Sequence, residues 1–306
     1  MKILVTGGAG FIGSQVADAF IADGHDVYII DNLSTGNEKN INHKAHFLKY
    51  DINSLDILKI FEKEKFDAVN HHAAQIDVRK SVNDPIFDAS INILGTINLL
   101  QNCIKTGVKK FMFASTGGAI YGEQEYFPAD ENHPTKPVSP YGITKLTIEK
   151  YLFFYKNEYG LNYTILRYAN VYGPRQNPLG EAGVVAIFTN KLIKNENPII
   201  NGNGNQTRDY VFVEDVVKAN IINLNNNSSD IYNVGTGIET SVNEIFSKLN
   251  KISGGIAEEK HGPAAKGEQL RSVITSDKLY KKFDWKPSVK IDDGLKKTFN
   301  YFESKK

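Results

Sequence analysis

Between an aliphatic run and a helical pattern at the N-terminus stands the segment Val5-Thr6-Gly7-Gly8-Ala9-Gly10-Phe11-Ile12-Gly13. Gly8, Gly10 and Gly13 fit G-x-G-x-x-G, while Gly7, Gly10 and Gly13 fit a G-x-x-G-x-x-G spacing. Glycine permits the tight turn from strand to helix and lets backbone amides approach a pyrophosphate at the helix N-terminus. Such turns are common, so the flanks decide. Ile3-Leu4-Val5 precedes as a strand, and Ser14 to Ala22 follows with Val16 and Phe20 at helical spacing. A second strand, Asp26 to Ile30, ends at Asp31, about 20 residues beyond the turn. A carboxylate there accepts hydrogen bonds from an adenosine ribose and repels a 2′-phosphate, which favours NAD over NADP. A ligand-free βαβ turn is the plainer alternative.

Further strands are expected at Ala68 to His71, Phe111 to Ala114 and Tyr163 to Arg167, with helical patterns between them. This alternation predicts an α/β fold, a Rossmann doubly wound parallel sheet covered on both faces. After about residue 175 the texture shifts to asparagine- and glycine-rich turns, as at Asn201-Gly202-Asn203-Gly204-Asn205. The expected division is a dinucleotide-binding domain over 1–175, rejoined by about 205–235, and a smaller, interleaved mixed α/β substrate lobe over 176–306.

The 306 residues include 36 basic and 35 acidic side chains, for a formal net charge of +1. That balance offers no electrostatic reason to expect nucleic acid or an anionic membrane as partner. The single cysteine, Cys103, excludes an internal disulfide and lies in an apolar helical pattern, so a buried structural thiol is expected. The chain opens on a strand rather than a signal peptide, and no apolar run approaches the roughly 20 residues a bilayer span needs. A cytoplasmic protein is the expectation. His71 and His72 invite a metal reading, but adjacent strand residues face opposite sides, and no third ligand is near. Small Ala73 and Ala74 suit space for a cofactor. Asp51 meets an adenine amino group or caps the following helix.

Ser139-Pro140-Tyr141-Gly142-Ile143-Thr144-Lys145 carries the chemistry. Serine followed by proline starts a helix, which places Tyr141 and Lys145 at i and i+4 on one face. A nearby ammonium and a positive nicotinamide favour the phenolate, so the tyrosine can take a proton from a sugar hydroxyl. Y-x-x-x-K alone is a frequent chance match. Ala114-Ser115-Thr116-Gly117-Gly118-Ala119, at the carboxyl end of the preceding strand, supplies a hydroxyl where open α/β sheets bind ligands.

With these motifs the chain resembles the UDP-glucose (UDP-galactose) 4-epimerase family of the extended short-chain dehydrogenase/reductase superfamily. The resemblance runs through Gly7–Gly13, Asp31–Gly36, His72–Gln75, Ser115–Gly122, Ser139–Lys145, Arg167–Arg175 and Arg208–Asp215. It implies that Thr116, Tyr141 and Lys145 form the catalytic set, Thr116 being preferred to Ser115 as the substrate-binding hydroxyl. It also implies that Phe11, Ile12, Asp31, Asn32, Asp51, Ile52, Ala73, Gln75, Asn92, Lys145 and Tyr168 line an NAD site. Asn170 and Arg208 would meet the diphosphate of a UDP-sugar; the plainer reading of Arg208 is an ion pair with Asp209 or Asp215. In the segment Gly262 to Ser272, Glu268 would bind the uridine ribose and Ser272 would gate the sugar pocket. The family's second basic contact falls on Ala265, with Lys266 or Arg271 as substitutes.

Dehydratases of the superfamily carry an Asp-Glu pair where this chain has Gly117-Gly118, so elimination of water is not expected. The resemblance implies C4 epimerisation through a 4-keto sugar, on UDP-glucose/UDP-galactose and, given the small Ser272, UDP-GlcNAc/UDP-GalNAc. The rivals are a UDP-uronate 4-epimerase or decarboxylase and a non-catalytic NAD(H)-sensing protein. Tyr151-Leu152-Phe153-Phe154-Tyr155 puts apolar groups around most of a helix, which predicts a homodimer through it and the helix near Asn92 to Lys105.

Overall fold

The computed structural model describes residues 1–178, 183–264 and 269–305. The first aliphatic run forms β1 (Lys2–Thr6), and the glycine loop leads into α1 (Phe11–Ala22), β2 (Asp26–Ile30) and β3 (His46–Leu48). α2 (Ile57–Glu64) precedes β4 (Ala68–His71), which is buried along its whole length. Next come α3 (Val78–Asn83), α4 (Pro85–Ala89) and α5 (Thr96–Thr106), with a π-helical turn at Ser90–Gly95 between the last two. β5 (Lys110–Thr116), α6 (Pro140–Tyr159) and β6 (Asn162–Tyr168) follow.

The later chain forms β7 (Asn170–Tyr172), α7 (Val184–Ile193), β8 (Ile199–Asn201), β9 (Thr207–Phe212), α8 (Val213–Leu224) and β10 (Asp230–Val234). It continues through β11 (Glu239–Ser241), α9 (Val242–Ile252), β12 (Lys260–Gly262), β13 (Arg271–Ser272), α10 (Asp277–Phe283) and α11 (Ile291–Glu303). Two compact units result. One comprises Met1–Ile120, Pro137–Arg167 and Val217–Tyr232; the other comprises Tyr121–Lys136, Tyr168–Val216 and Asn233–Lys306.

The first unit is built on a seven-stranded sheet of order β10-β6-β5-β4-β1-β2-β3. β1 pairs in parallel with β2 and with β4, β2 with β3, and β4 with β5. The chain therefore winds outwards from β1 in one direction and returns to its other side at β4. That reversal is the switch point of the doubly wound class, where ligands bind beyond the carboxyl ends of the strands. One face of the sheet packs Leu4, Ile30, Val69 and Phe111 against Leu99, Leu100, Cys103 and Ile148 from the helices. Cys103 is wholly buried there, and burial pushes its thiol pKa up, as fits a structural role. The second unit holds a smaller mixed sheet in which β9 pairs in parallel with β7 and β13 and antiparallel with β11. Among the described residues no helix is long and apolar enough to cross a membrane.

Candidate active site

The glycine loop is tied to its neighbours at every step. Gly7 adopts φ +69°, and a Cβ there would lie 2.6 Å from the Ala73 amide nitrogen, so only glycine lets the loop pass the end of β4. Gly10 begins α1 without a side-chain cap, which leaves the helix N-terminus open to an anion. Phe11 and Ile12 form its first turn, half-buried, with Gly13 buried behind them. Asp31 accepts the Ala9 amide at 3.0 Å and the Leu33 amide at 2.8 Å. Its carboxylate thus braces the loop and still has lone pairs for another donor.

Asn32 donates to Asp51 at 2.7 Å, and Asp51 also accepts the Asn53 amide at 2.9 Å. The alternative of Asp51 as a helix cap fails, because α2 starts at Ile57 and Asp56 stands at its N-cap. Ile52 is buried in the core beside them.

A buried relay crosses the ends of β1 and β4. Thr96 donates its hydroxyl to the Asn92 carbonyl at 2.7 Å, so it accepts from His71 Nε2 at 2.9 Å. His71 Nδ1 then accepts from Thr6 Oγ1 at 2.6 Å, and Thr6 Oγ1 in turn accepts the Ala73 amide at 3.3 Å. Burial, reinforced by Lys145, keeps His71 neutral and holds His72 at about 3. Gln75 and Asn92 are brought together: the Gln75 amide nitrogen donates to Asn92 Oδ1 and Asn92 Nδ2 to the Gln75 carbonyl, each at 2.9 Å. Both side-chain amides also donate to Asp88, at 2.8 and 3.1 Å. They hold the loop after β4 in shape.

α6 begins as its sequence predicts. Ser139 Oγ accepts the Gly142 amide at 3.2 Å, Pro140 occupies the first turn, and the Tyr141 amide donates to Ser81 at 3.2 Å. A Cβ on Gly142 would sit 2.7 Å from the Ala119 carbonyl oxygen, so the helix start lies against the segment that follows Thr116. Lys145 is buried and donates to the Ala114 carbonyl at 2.9 Å, its ammonium 5.9 Å from the Tyr141 ring centroid and 4.8 Å from that of Phe113. Burial lowers its pKa to about 8, against the raising effect of Asp88 and Glu149. At the end of β5 the two hydroxyls part. Ser115 is buried and bound to Glu149, whereas Thr116 is half-buried and its hydroxyl takes no partner among the described residues. The geometry assembles Tyr141 and Lys145 on one helix beside a strand end, an arrangement able to move a proton at a substrate oxygen.

A profile of the NAD dependent epimerase/dehydratase family matches residues 3–235. The chain belongs to this family.

It is 40% identical over 311 residues to a UDP-glucose 4-epimerase of Mycolicibacterium smegmatis, covering 100% of this chain and 99% of that one. Its structure is similar to the Thermotoga maritima UDP-glucose 4-epimerase solved with UDP-glucose, with TM-score 0.98, 48% identity, and 100% and 99% of the two chains covered. It is also similar to the Thermus thermophilus UDP-glucose 4-epimerase solved with NAD, with TM-score 0.94, 40% identity and 99% of each chain covered.

The NAD of the epimerase/dehydratase family suits the residues found here. The space above Gly7 that no Cβ can enter, the uncapped start of α1 and the braced Asp31 are the features a pyrophosphate and an adenosine ribose require. Tyr168, at the end of β6, is buried. In the second unit Asn170 is exposed on β7, and Arg208 and Ser272 are register partners on β9 and β13. The Asp209 carboxylate accepts from Thr236, Gly237 and Ile274 rather than Arg208. Arg271 is held in a two-point pair with Glu239 at 2.9 and 2.8 Å and lies 3.8 Å from the Phe127 ring centroid, which commits it away from the substitute role considered for it. Glu268, Ala265 and Lys266 lie outside the described residues.

Two acidic residues escape sequence reasoning. Glu149 sits one further turn along the Tyr141/Lys145 face, a spacing that is legible in hindsight. Asp88 lies in a five-residue helix that begins at Pro85, and nothing local marks it.

Proposed function

We propose that the protein interconverts the C4 epimers of a UDP-hexose, with UDP-glucose and UDP-galactose as its primary pair. The observation that carries this reading is Lys145, buried beside Tyr141 at the end of β5, in a chain 40% identical over its whole length to a UDP-glucose 4-epimerase. The glycine loop, Asp31, Asn32 and Asp51 would hold NAD⁺, which would supply a reversible acceptor for hydride from sugar C4. Tyr141 removes the proton from the C4 hydroxyl and returns it after the 4-keto sugar has turned over. Lys145 holds Tyr141 as phenolate by its charge, and Thr116 hydrogen-bonds the same sugar oxygen. Asn170 and Arg208 bind the diphosphate, Arg208 through its planar fork. Glu268 binds the uridine ribose.

Ser272 leaves room at the sugar, so UDP-GlcNAc and UDP-GalNAc are accepted as well. Turnover of both UDP-galactose and UDP-GlcNAc is the expected result; turnover of UDP-galactose alone would remove the role given to Ser272. Phe153 and Phe154 on α6 and Leu94 on the π-helical turn are exposed, which supports a homodimer through these helices. Light scattering at micromolar concentration should give twice the chain mass.

A further inference from the structure

Buried charge around Lys145 balances only when Asp88 is included. Arg167 and Glu149 answer each other, with Nε and a terminal nitrogen of the guanidinium donating at 3.0 and 2.6 Å. Lys145 is left 4% exposed, donating to an uncharged carbonyl. Asp88 is 0% exposed, and its carboxylate accepts from Gln75 at 2.8 Å, Asn92 at 3.1 Å and Thr144 at 3.0 Å, all uncharged groups. An ammonium and a carboxylate are each costly to bury alone and are tolerated when near one another. Thr144 directly precedes Lys145, so its bond to Asp88 pins the carboxylate beside the turn that carries the ammonium.

We infer that Asp88 is a positioning residue for the Tyr141–Lys145 pair. Its buried carboxylate is the countercharge of Lys145, and through Gln75 and Asn92 it fixes the loop after β4 relative to the catalytic helix. The inference rests on the epimerase reading above. The other groups around Lys145 do not replace it. Glu149, on the same helix, is matched by Arg167, and His71, at the end of β4, and His72, just after it, are neutral. The Phe113 ring, 4.8 Å from the ammonium, carries no charge.

The test is the kcat–pH profile of the complete protein with UDP-galactose, for wild type, Asp88→Asn, Thr144→Val and Asp88→Glu. Removing a buried negative charge makes both Lys145 and Tyr141 lose their protons more readily. The whole bell of Asp88→Asn should therefore move to lower pH by about one unit, with kcat falling and KM little changed. Thr144→Val deletes a hydrogen bond but keeps the charge, and its bell should stay in place. An unmoved bell in Asp88→Asn, or an equal displacement in Thr144→Val, overturns the inference. If Asp88→Asn does not fold, Asp88→Glu decides: it retains the charge and should keep the wild-type bell, and a displaced bell contradicts the role. A wild type that turns over no UDP-hexose would instead overturn the epimerase reading, and with it this inference.

Discussion

Ser115 donates its hydroxyl hydrogen to the Glu149 carboxylate at 2.6 Å, and Arg167 closes the other side of that carboxylate. A hydroxyl so committed serves the interior. The adjacent Thr116 has no such partner among the described residues and is the hydroxyl proposed to meet substrate.

The two hydroxyls should separate in mutagenesis. Thr116→Val is expected to lower kcat by about 10–100-fold, the value of one hydrogen bond to a developing charge. Ser115→Ala should lower it far less, yet cost about 1–3 kcal/mol in denaturant unfolding because the Glu149 carboxylate loses a donor. The reverse pattern would assign the substrate contact to Ser115.

In the proposed mechanism Lys145 sets the alkaline side of catalysis. Its folded pKa, about 8, lies below the usual 10.5 because burial disfavours the ammonium. The charge is therefore present below about 8 and lost as pH rises through it, and phenolate formation at Tyr141 loses its support over that interval. Wild-type kcat should fall on this limb. Lys145→Arg carries a guanidinium that does not deprotonate, so its slower reaction should show no such limb. A limb at the same pH in Lys145→Arg would exclude Lys145 as its origin.

Gly7→Ala probes the loop. The left-handed backbone costs an L-residue roughly 1–2 kcal/mol, and the added Cβ meets the Ala73 amide at 2.6 Å. A lower denaturant midpoint and loss of co-purifying NAD are expected together. Unchanged NAD content would contradict the loop's role as the pyrophosphate cradle.

What the sequence discloses and what it conceals divide along range. Gly7 to Gly13, the strand leading to Asp31 and the Ser139-Pro140 helix start are local patterns, and the structure repeats each of them. Asp51 admits two readings from sequence, since a short-range pattern cannot say that the helix waits until Ile57. Gln75 and Asn92 are 17 residues apart, and their pairing depends on a π-helical turn that has no compositional signature. Asp88 reaches Thr144 across 56 residues, and Ser115 reaches Glu149 across 34. Such bonds follow from the order of strands in the sheet, which the alternation of elements implies only as a class. Arg271 shows the same limit, being basic in the right stretch of chain but engaged by Glu239.

Purified protein incubated with UDP-galactose, without added NAD, tests the assignment most directly. UDP-glucose should form, the same equilibrium mixture should be reached from either epimer, and Tyr141→Phe should slow conversion by about 10²–10⁴-fold while still binding the nucleotide sugar. Stable binding of NAD and UDP-galactose by the wild type with no conversion at C4 would contradict it, and would describe a nucleotide-sensing protein instead.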